Sequence, residues 1–112
     1  MSKDALNGSL LDALYRVIES RRGADPESSY TAKLLHRGPA KICQKVGEEA
    51  VETIIEGAQG RKDGVVGESA DLLYHLLVLW AANGVKPADV WAALEARQGT
   101  SGLAEKASRT KE

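Results

Sequence analysis

The feature that most constrains the fold is a segment over residues 65–83 that is apolar around almost its whole helical circumference. At about 100° per residue, its only polar strip is narrow and contains Glu68, Asp71 and His75. A helix that is apolar nearly all round must be buried nearly all round. A chain of 112 residues has few other elements with which to surround it. The sequence therefore predicts an all-α helical bundle whose core is completed by homodimerisation.

Glycine, proline and capping residues divide the chain into about five helical segments. The predicted helices are Leu10–Arg22, Tyr30–Arg37, Pro39–Gln59, Val65–Asn83 and Pro87–Gln98. Ser9, with Asp12 as its capping-box partner, is expected to cap the first helix, and Ser29 the second. Short connections between helices are typical of a bundle. Residues 1–112 are expected to form one domain, with a polar, mobile tail over residues 100–112.

Composition excludes several classes of function. The 15 Lys and Arg residues nearly balance the 16 Asp and Glu residues, so the net charge of -1 does not favour nucleic acid or an anionic membrane as a partner. Cys43 is the only cysteine, which excludes an internal disulfide and a zinc finger, and we expect it to be a small core residue. Asp4 and Asn7 interrupt the N-terminal apolar residues that a signal peptide needs. These features predict a cytoplasmic protein.

Acidic residues on the two most apolar helices are the main functional signal. Glu48, Glu49 and Glu52 form an EExxE motif, and Glu68 and Asp71 form an ExxD motif one helix later. If the two helices pack antiparallel, their carboxylates converge and repel one another unless a cation neutralises them. All-oxygen ligation favours Mg²⁺ or Mn²⁺ over zinc. The competing interpretation is that EExxE forms the solvated face of a helix, but the leucines beside ExxD argue against an ordinary solvated strip.

Basic residues precede the acidic motif on the same predicted helix face. Lys41 and Lys45 could hold phosphates whose metal ion is bound by the carboxylates. The alternative is that Lys45 only forms an i,i+4 ion pair with Glu49, and both interpretations can hold in the empty protein. Lys33 and Arg37, on the short second helix, are further candidates for phosphate contacts. Neither GxxxxGKS nor GxGxxG occurs, so P-loop and Rossmann chemistry are not supported.

Aromatic residues and histidine are assigned mainly to packing. His75 is expected to be a core histidine that is hydrogen-bonded to Asp71 or to the backbone. Trp80 and Trp91 are expected to pack rather than to stack on a ligand. Tyr30, at the start of the second helix, is the better candidate for contact with a base or a ribose.

Two segments, KVGEEAVETIIEG and GESADLLYHLLVL, resemble the phosphoribosyl-ATP pyrophosphohydrolase family, within the all-α nucleotide pyrophosphohydrolases of the MazG type. The segments SYTAKLL, GPAKICQK and RQGTSGLAEKASR extend the resemblance over nearly the whole chain. The resemblance implies Mg²⁺-assisted hydrolysis of 1-(5-phosphoribosyl)-ATP to 1-(5-phosphoribosyl)-AMP and pyrophosphate, the second step of histidine biosynthesis.

The resemblance also implies a role for each candidate site residue. The carboxylates that would hold the metal are Glu49, Glu52, Glu68 and Asp71, while Glu48 would orient or deprotonate the attacking water. The residues that would bind the substrate are Lys41 and Lys45 at the triphosphate, Tyr30, Thr31 and Lys33 at the nucleotide, and Arg97, Lys106 and Arg109 at the phosphate of the phosphoribosyl arm. Two alternatives stay open: a house-cleaning nucleoside triphosphate pyrophosphohydrolase, and a noncatalytic helical dimerisation module.

Overall fold

The computed structural model describes residues 6–98, and within this range all regular structure is helical. The helices are α1 (Ser9–Ser20), α2 (Tyr30–Arg37), α3 (Pro39–Ala58), α4 (Lys62–Ala82) and α5 (Pro87–Arg97). Each of the five predicted helices is present, and most of their ends agree with the predicted ends to within one or two residues. The all-α prediction is confirmed for the described part of the chain.

A hairpin of the two long helices, α3 and α4, forms the centre of the fold. The other helices pack around it: α1 lies against α4, α2 lies against both α3 and α4, and α5 contacts α1. The largest fully buried side chains are Ile18, Ile42, Leu77 and Val78, one each from α1 and α3 and two from α4. Full burial of such an aliphatic side chain stabilises the fold by about 1.5–3 kcal/mol. The core therefore lies where α1 and α3 meet the C-terminal half of α4.

Both ends of α2 are determined by local chemistry. The Ser29 hydroxyl oxygen accepts a hydrogen bond from the Ala32 backbone nitrogen at 3.1 Å, as the capping prediction requires. Gly38 then ends α2 with φ at +96°, a left-handed conformation that glycine adopts without strain. Pro39 follows as the first residue of α3.

The start of α4 differs from the prediction. The sequence pattern places Gly64 in the loop and the helix start at Val65, but α4 already begins at Lys62. A Cβ on Gly64 would collide with the Glu56 carboxylate, which lies against this first turn. Glu56 accepts hydrogen bonds from Arg61 Nε at 2.9 Å and from Arg61 Nη2 at 2.7 Å. The absence of a side chain at Gly64 leaves room for this ion pair. Gly64 therefore lies within the first turn of α4 and not in the loop before it.

The capping prediction for α1 is wrong. Ser9 is the first helical residue, and its backbone nitrogen donates to Asn7 Oδ1 at 2.9 Å. Asp12 instead accepts a hydrogen bond from Trp91 Nε1 at 3.1 Å, which links α1 to α5. Trp91 in turn packs edge-on against Trp80, with ring centroids 6.0 Å apart. The two tryptophans are packing residues, as predicted, and Asp12 serves their packing rather than a helix cap.

Cys43 is exposed, so the prediction that it is a core residue is wrong. Its neighbour Ile42 is fully buried, and Cys43 lies about 100° further round the helix. On this outer side of α3, Val51 and Ile54 are also 54% and 67% exposed. We call this side, including Ile55, the outer face of α3.

Helix α4 is only partly covered within one chain. It is long and apolar enough to cross a membrane, yet it supplies Leu77 and Val78 to the core, which is the role of a central helix in a folded domain. Only 22% of its most apolar 18-residue stretch is buried, and Val66 and Leu73 remain 63% and 42% exposed. A single chain therefore does not cover this helix, which is the situation from which the sequence analysis predicts a dimer.

Replacing Leu77 with alanine should lower the free energy of unfolding by about 2–5 kcal/mol, because it leaves a cavity at a side chain that is 1% exposed. Leu94→Ala is the matched control, since Leu94 is 52% exposed and should cost less than about 1 kcal/mol. Urea unfolding at one fixed protein concentration measures both. Comparable losses would contradict the placement of the core.

Candidate active site

Three carboxylates from two helices converge between α3 and α4. Glu49, Glu68 and Asp71 each offer one oxygen atom, and these three atoms lie within 4.8 Å of one another. Glu49 is only 7% exposed. The three-residue spacing of Glu68 and Asp71 places them one turn apart on one side of α4. The predicted convergence of the two motifs is thus confirmed for these residues, which with Glu52 we call the acidic cluster.

Glu52 lies at the exposed edge of the acidic cluster. Its carboxyl group is close enough to those of Glu49 and Glu68 to contribute to the raised pKa values of both. It is outside the set of three oxygen atoms that lie closest together. The EExxE and ExxD motifs therefore meet at one place, with Glu49 innermost.

Two oxygen atoms of the acidic cluster are suited to a metal ion. Glu49 Oε2 and Glu68 Oε1 are buried, and neither has a hydrogen-bond partner in the described structure. Buried polar atoms are almost always paired, because an unpaired one keeps the full cost of its lost hydration. A donor set made only of carboxylate oxygens fits a hard divalent cation. The acidic cluster is therefore a candidate metal centre.

Burial and mutual repulsion raise the carboxyl pKa values in this cluster. The pKa of Glu68 is raised to about 7, first by desolvation and then by the nearby carboxyl groups of Glu52 and Glu49. The pKa of Glu49 is also raised, again chiefly by burial. Glu68 is thus partly protonated near neutral pH, and a bound cation would displace that proton.

Glu48, the predicted catalytic residue, lies outside the acidic cluster. Its side chain is exposed and accepts hydrogen bonds from Gln44 Nε2 at 2.8 Å and from Lys45 Nζ at 3.2 Å. These two hydrogen bonds hold the pKa of Glu48 below its usual range. A carboxylate with a lowered pKa is a poor proton acceptor, so this position suits the orientation of a water molecule better than its deprotonation.

A basic groove of about 260 Å³ adjoins the acidic cluster. Its lining residues are Tyr30, Lys33, Leu34, Arg37, Lys41 and Lys45. Lys45 connects this groove to the acidic cluster, because its Nζ lies 3.9 Å from Glu49 Oε1. The same Nζ lies 3.2 Å from Glu48 Oε1. The hydrogen bond to Glu48 raises the pKa of Lys45, so its ammonium stays charged. The structure thus brings Tyr30, Lys33, Lys41 and Lys45 together, as the sequence predicts.

Arg37 joins these residues in the groove, although the sequence marks it only as a further candidate for phosphate contact. The sequence feature that could have identified Arg37 is its position four residues after Lys33, which places both side chains on one face of α2. Four cations from two helices therefore surround one groove, which is a suitable arrangement for the phosphates of a nucleotide.

The first turn of α2 is bonded to α4. Tyr30 Oη lies 3.1 Å from His75 Nε2, and the Thr31 hydroxyl is hydrogen-bonded to Tyr74 Oη. Tyr30 remains 52% exposed, so its ring is accessible from the groove. Thr31 was predicted to contact the nucleotide. In this structure its hydroxyl holds the first turn of α2 against α4. His75 Nδ1 lies 2.8 Å from the backbone oxygen of Asp71, which confirms the predicted core histidine.

Of the three predicted contacts near the C-terminus, only Arg97 lies within residues 6–98. Arg97 is the last residue of α5, which packs against α1, and it does not line the groove. Lys106, Arg109 and the rest of the predicted tail lie outside the described residues.

Replacing Glu68 with glutamine should stabilise the metal-free protein in a pH-dependent way. A carboxyl group with a raised pKa contributes stability that is fully present below its unfolded pKa, near 4.5, and is lost as the pH rises through its folded value of about 7. Glu68→Gln removes that loss. Its melting temperature in EDTA should therefore exceed that of the wild type at about pH 8 and match it at about pH 4.

Glu95→Gln, on the exposed side of α5, is the control for this measurement. It should show no pH-dependent gain, and equal gains in both variants would argue against repulsion within the acidic cluster.

Comparison with known proteins agrees with this site. The family model described as Phosphoribosyl-ATP pyrophosphohydrolase matches residues 11–98, which include the acidic cluster and the basic groove. Two proteins named phosphoribosyl-ATP pyrophosphatase are similar over nearly their whole length. That of Azospirillum brasilense is 61% identical over 109 residues, covering 97% of this chain and 98% of the relative. That of Paramagnetospirillum magneticum is 61% identical over 107 residues, covering 96% of this chain and 98% of the relative. With a family match of this extent and relatives this similar, the chain belongs to the phosphoribosyl-ATP pyrophosphohydrolase family.

Proposed function

We propose that this protein hydrolyses 1-(5-phosphoribosyl)-ATP to 1-(5-phosphoribosyl)-AMP and pyrophosphate, the second step of histidine biosynthesis. The observation that carries the proposal is that a candidate metal centre and a basic groove adjoin at Lys45, which lines the groove and lies 3.9 Å from Glu49 Oε1. A nucleoside triphosphate needs both parts, since its phosphates bind cationic side chains and its divalent ion binds carboxylates. The names of relatives such as those from Azospirillum brasilense and Paramagnetospirillum magneticum support this substrate.

The acidic cluster would hold Mg²⁺, with Mn²⁺ as the alternative ion of the same ligand preference. Its ligands would be the carboxylates of Glu49, Glu52, Glu68 and Asp71. When bound, the ion neutralises negative charge that develops on the phosphates during hydrolysis.

The basic groove binds and orients the substrate. Lys33, Arg37, Lys41 and Lys45 neutralise the triphosphate and hold it beside the acidic cluster, while the exposed ring of Tyr30 contacts the base or the ribose. Arg97, Lys106 and Arg109 are proposed to contact the phosphate of the phosphoribosyl arm. These contacts remove the substrate's translational freedom and place its α–β phosphoanhydride next to the carboxylates.

Glu48 orients the attacking water. Because its pKa is lowered, it stays ionised at neutral pH and accepts a hydrogen bond from that water. Attack of the water oxygen forms one P–O bond as the bridging P–O bond breaks, so pyrophosphate leaves without a covalent enzyme intermediate. The proton of the attacking water passes to solvent.

We propose further that two copies form a homodimer in the cytoplasm. Val51, Ile54 and Ile55 on the outer face of α3, together with Val66 and Leu73 on α4, leave large apolar side chains exposed in one chain. Soluble monomers rarely expose large apolar patches, because water solvates them poorly. A second copy of the chain covers both helices and completes the core.

The purified protein should release pyrophosphate from phosphoribosyl-ATP in the presence of Mg²⁺ and much less in EDTA. Glu52→Gln and Asp71→Asn should each lower kcat/KM by about 100-fold or more, because each removes the charge of a metal ligand. Glu95→Gln should keep the activity of the wild type. A coupled pyrophosphate assay measures all four proteins.

The same assay with other substrates separates the two alternatives. A clear preference for free nucleoside triphosphates would favour a house-cleaning enzyme. Absence of any metal-dependent pyrophosphate release would favour a noncatalytic dimerisation module.

Sedimentation equilibrium at micromolar concentration should give about twice the chain mass of 12.0 kDa. Ile54→Asp should shift this mass to that of one chain, because it places a charge on a side chain that is 67% exposed in the single chain but would be buried in the dimer. Leu94→Asp, at a similarly exposed leucine on α5, should leave the dimer intact. A folded wild-type monomer would contradict the proposed assembly.

A further inference from the structure

His75 is a buried histidine to which the proposed reaction assigns no role. It is 6% exposed and lies among aromatic rings, with its centroid 4.9 Å from that of Tyr74 and 5.9 Å from that of Tyr30. Both of its ring nitrogens have partners, Tyr30 on one side and the Asp71 backbone on the other. Such complete pairing is what a buried polar side chain requires, and it also leaves His75 no free nitrogen for a substrate.

These partners determine the direction of each hydrogen bond. The Asp71 backbone oxygen can only accept, so His75 Nδ1 carries a proton and donates across 2.8 Å. In the neutral ring, Nε2 is then an acceptor, and the Tyr30 hydroxyl donates to it across 3.1 Å. A chain of hydrogen bonds therefore runs from Tyr30 through His75 to the backbone of Asp71.

This chain of hydrogen bonds joins the two parts of the site. Tyr30 lines the basic groove, and Asp71 contributes a carboxylate to the acidic cluster. A second bond, between Thr31 and Tyr74, holds the same first turn of α2 against α4. Helix α2 also carries Lys33. The position of its first turn therefore affects how Lys33 lies relative to Lys41 and Lys45 of α3.

We propose that His75 is a positioning residue for nucleotide binding. By accepting the hydrogen bond of the Tyr30 hydroxyl, it holds the phenol ring and the first turn of α2 at the groove. It thereby determines the affinity for the nucleotide without touching substrate or metal ion. This inference rests on the proposed function, because it assigns the nucleotide to the groove that Tyr30 lines.

Two single variants remove the same bond from opposite ends. Tyr30→Phe keeps the ring but loses the donor. His75→Asn keeps a donor near the Nδ1 position, for the Asp71 backbone, but loses the acceptor. Each should raise KM for phosphoribosyl-ATP about 3- to 10-fold, the effect of losing one hydrogen bond, and change kcat less than about twofold.

The double variant tests whether the two residues act through one another. If they do, Tyr30→Phe combined with His75→Asn has the KM of His75→Asn alone, because the bond can be lost only once. His75→Gln, whose side-chain oxygen can reach the Nε2 position, should restore part of the affinity. Multiplicative effects of the two single changes, or equal KM values for His75→Gln and His75→Asn, would overturn the proposal.

Tyr15→Phe is the control for a purely structural effect. It also removes one hydrogen bond of a tyrosine hydroxyl, to the Val85 backbone oxygen at 2.8 Å, but in the core between α1 and the α4–α5 connection. It should lower the melting temperature and leave KM unchanged. If its KM rises as much as that of Tyr30→Phe, the effect of His75 is general destabilisation and the positioning role fails.

Binding measurements separate this proposal from the proposed function. By calorimetry, ATP in EDTA should bind about 3- to 10-fold more weakly to Tyr30→Phe and His75→Asn than to the wild type, whereas Mn²⁺ should bind all three equally. Absence of ATP binding to the wild type, or a loss of Mn²⁺ affinity in His75→Asn, would overturn the positioning role. A wild type that binds ATP but does not hydrolyse phosphoribosyl-ATP would refute the proposed function alone.

Discussion

The contact between α3 and α4 is the interaction on which the rest of this structure depends. It buries Ile42 and Leu77, and full burial of each such side chain stabilises the fold by about 1.5–3 kcal/mol. The same contact forces Glu49 against Glu68, where desolvation and repulsion raise the pKa of Glu68 to about 7. Apolar packing along the hairpin thus offsets the electrostatic cost of the acidic cluster. A bound cation would remove that cost, so metal binding at this contact would also stabilise the fold.

Helix α2 adds the basic groove to this hairpin. α2 brings Lys33 and Arg37 to the cations of α3, and its first turn is held to α4 through Tyr30 and His75. Lys45 connects the two regions, since it pairs with Glu48 and approaches Glu49 at the edge of the groove. The basic groove and the acidic cluster are therefore joined by the ion pair between Lys45 and Glu49.

Sequence patterns predicted several local features correctly where the determining chemistry lies within one helical turn. The Ser29 cap, the Gly38–Pro39 junction and the one-turn spacing of the ExxD motif all depend on neighbours three or four residues apart. The same patterns failed at Asp12, Gly64 and Cys43. Asp12 bonds to Trp91 of α5 instead of capping α1. Gly64 is small because Glu56 of the preceding helix lies against it, and Cys43 lies on the outer face of α3. All three errors concern which side of a helix meets another element, and apolar periodicity does not resolve that for helices that are apolar on more than one side.

By itself, the sequence determined the five helices, the pairing of the two acidic motifs and the set of basic residues that could serve phosphates. Only the tertiary structure decided which of these residues meet. The bond between Asp12 and Trp91 spans 79 residues, and that between Tyr30 and His75 spans 45. Helix caps and spacings act over a single turn of backbone, whereas such distant partners depend on how whole helices are oriented against one another. Burial of apolar side chains from several helices at once sets that orientation, and no local pattern contains it.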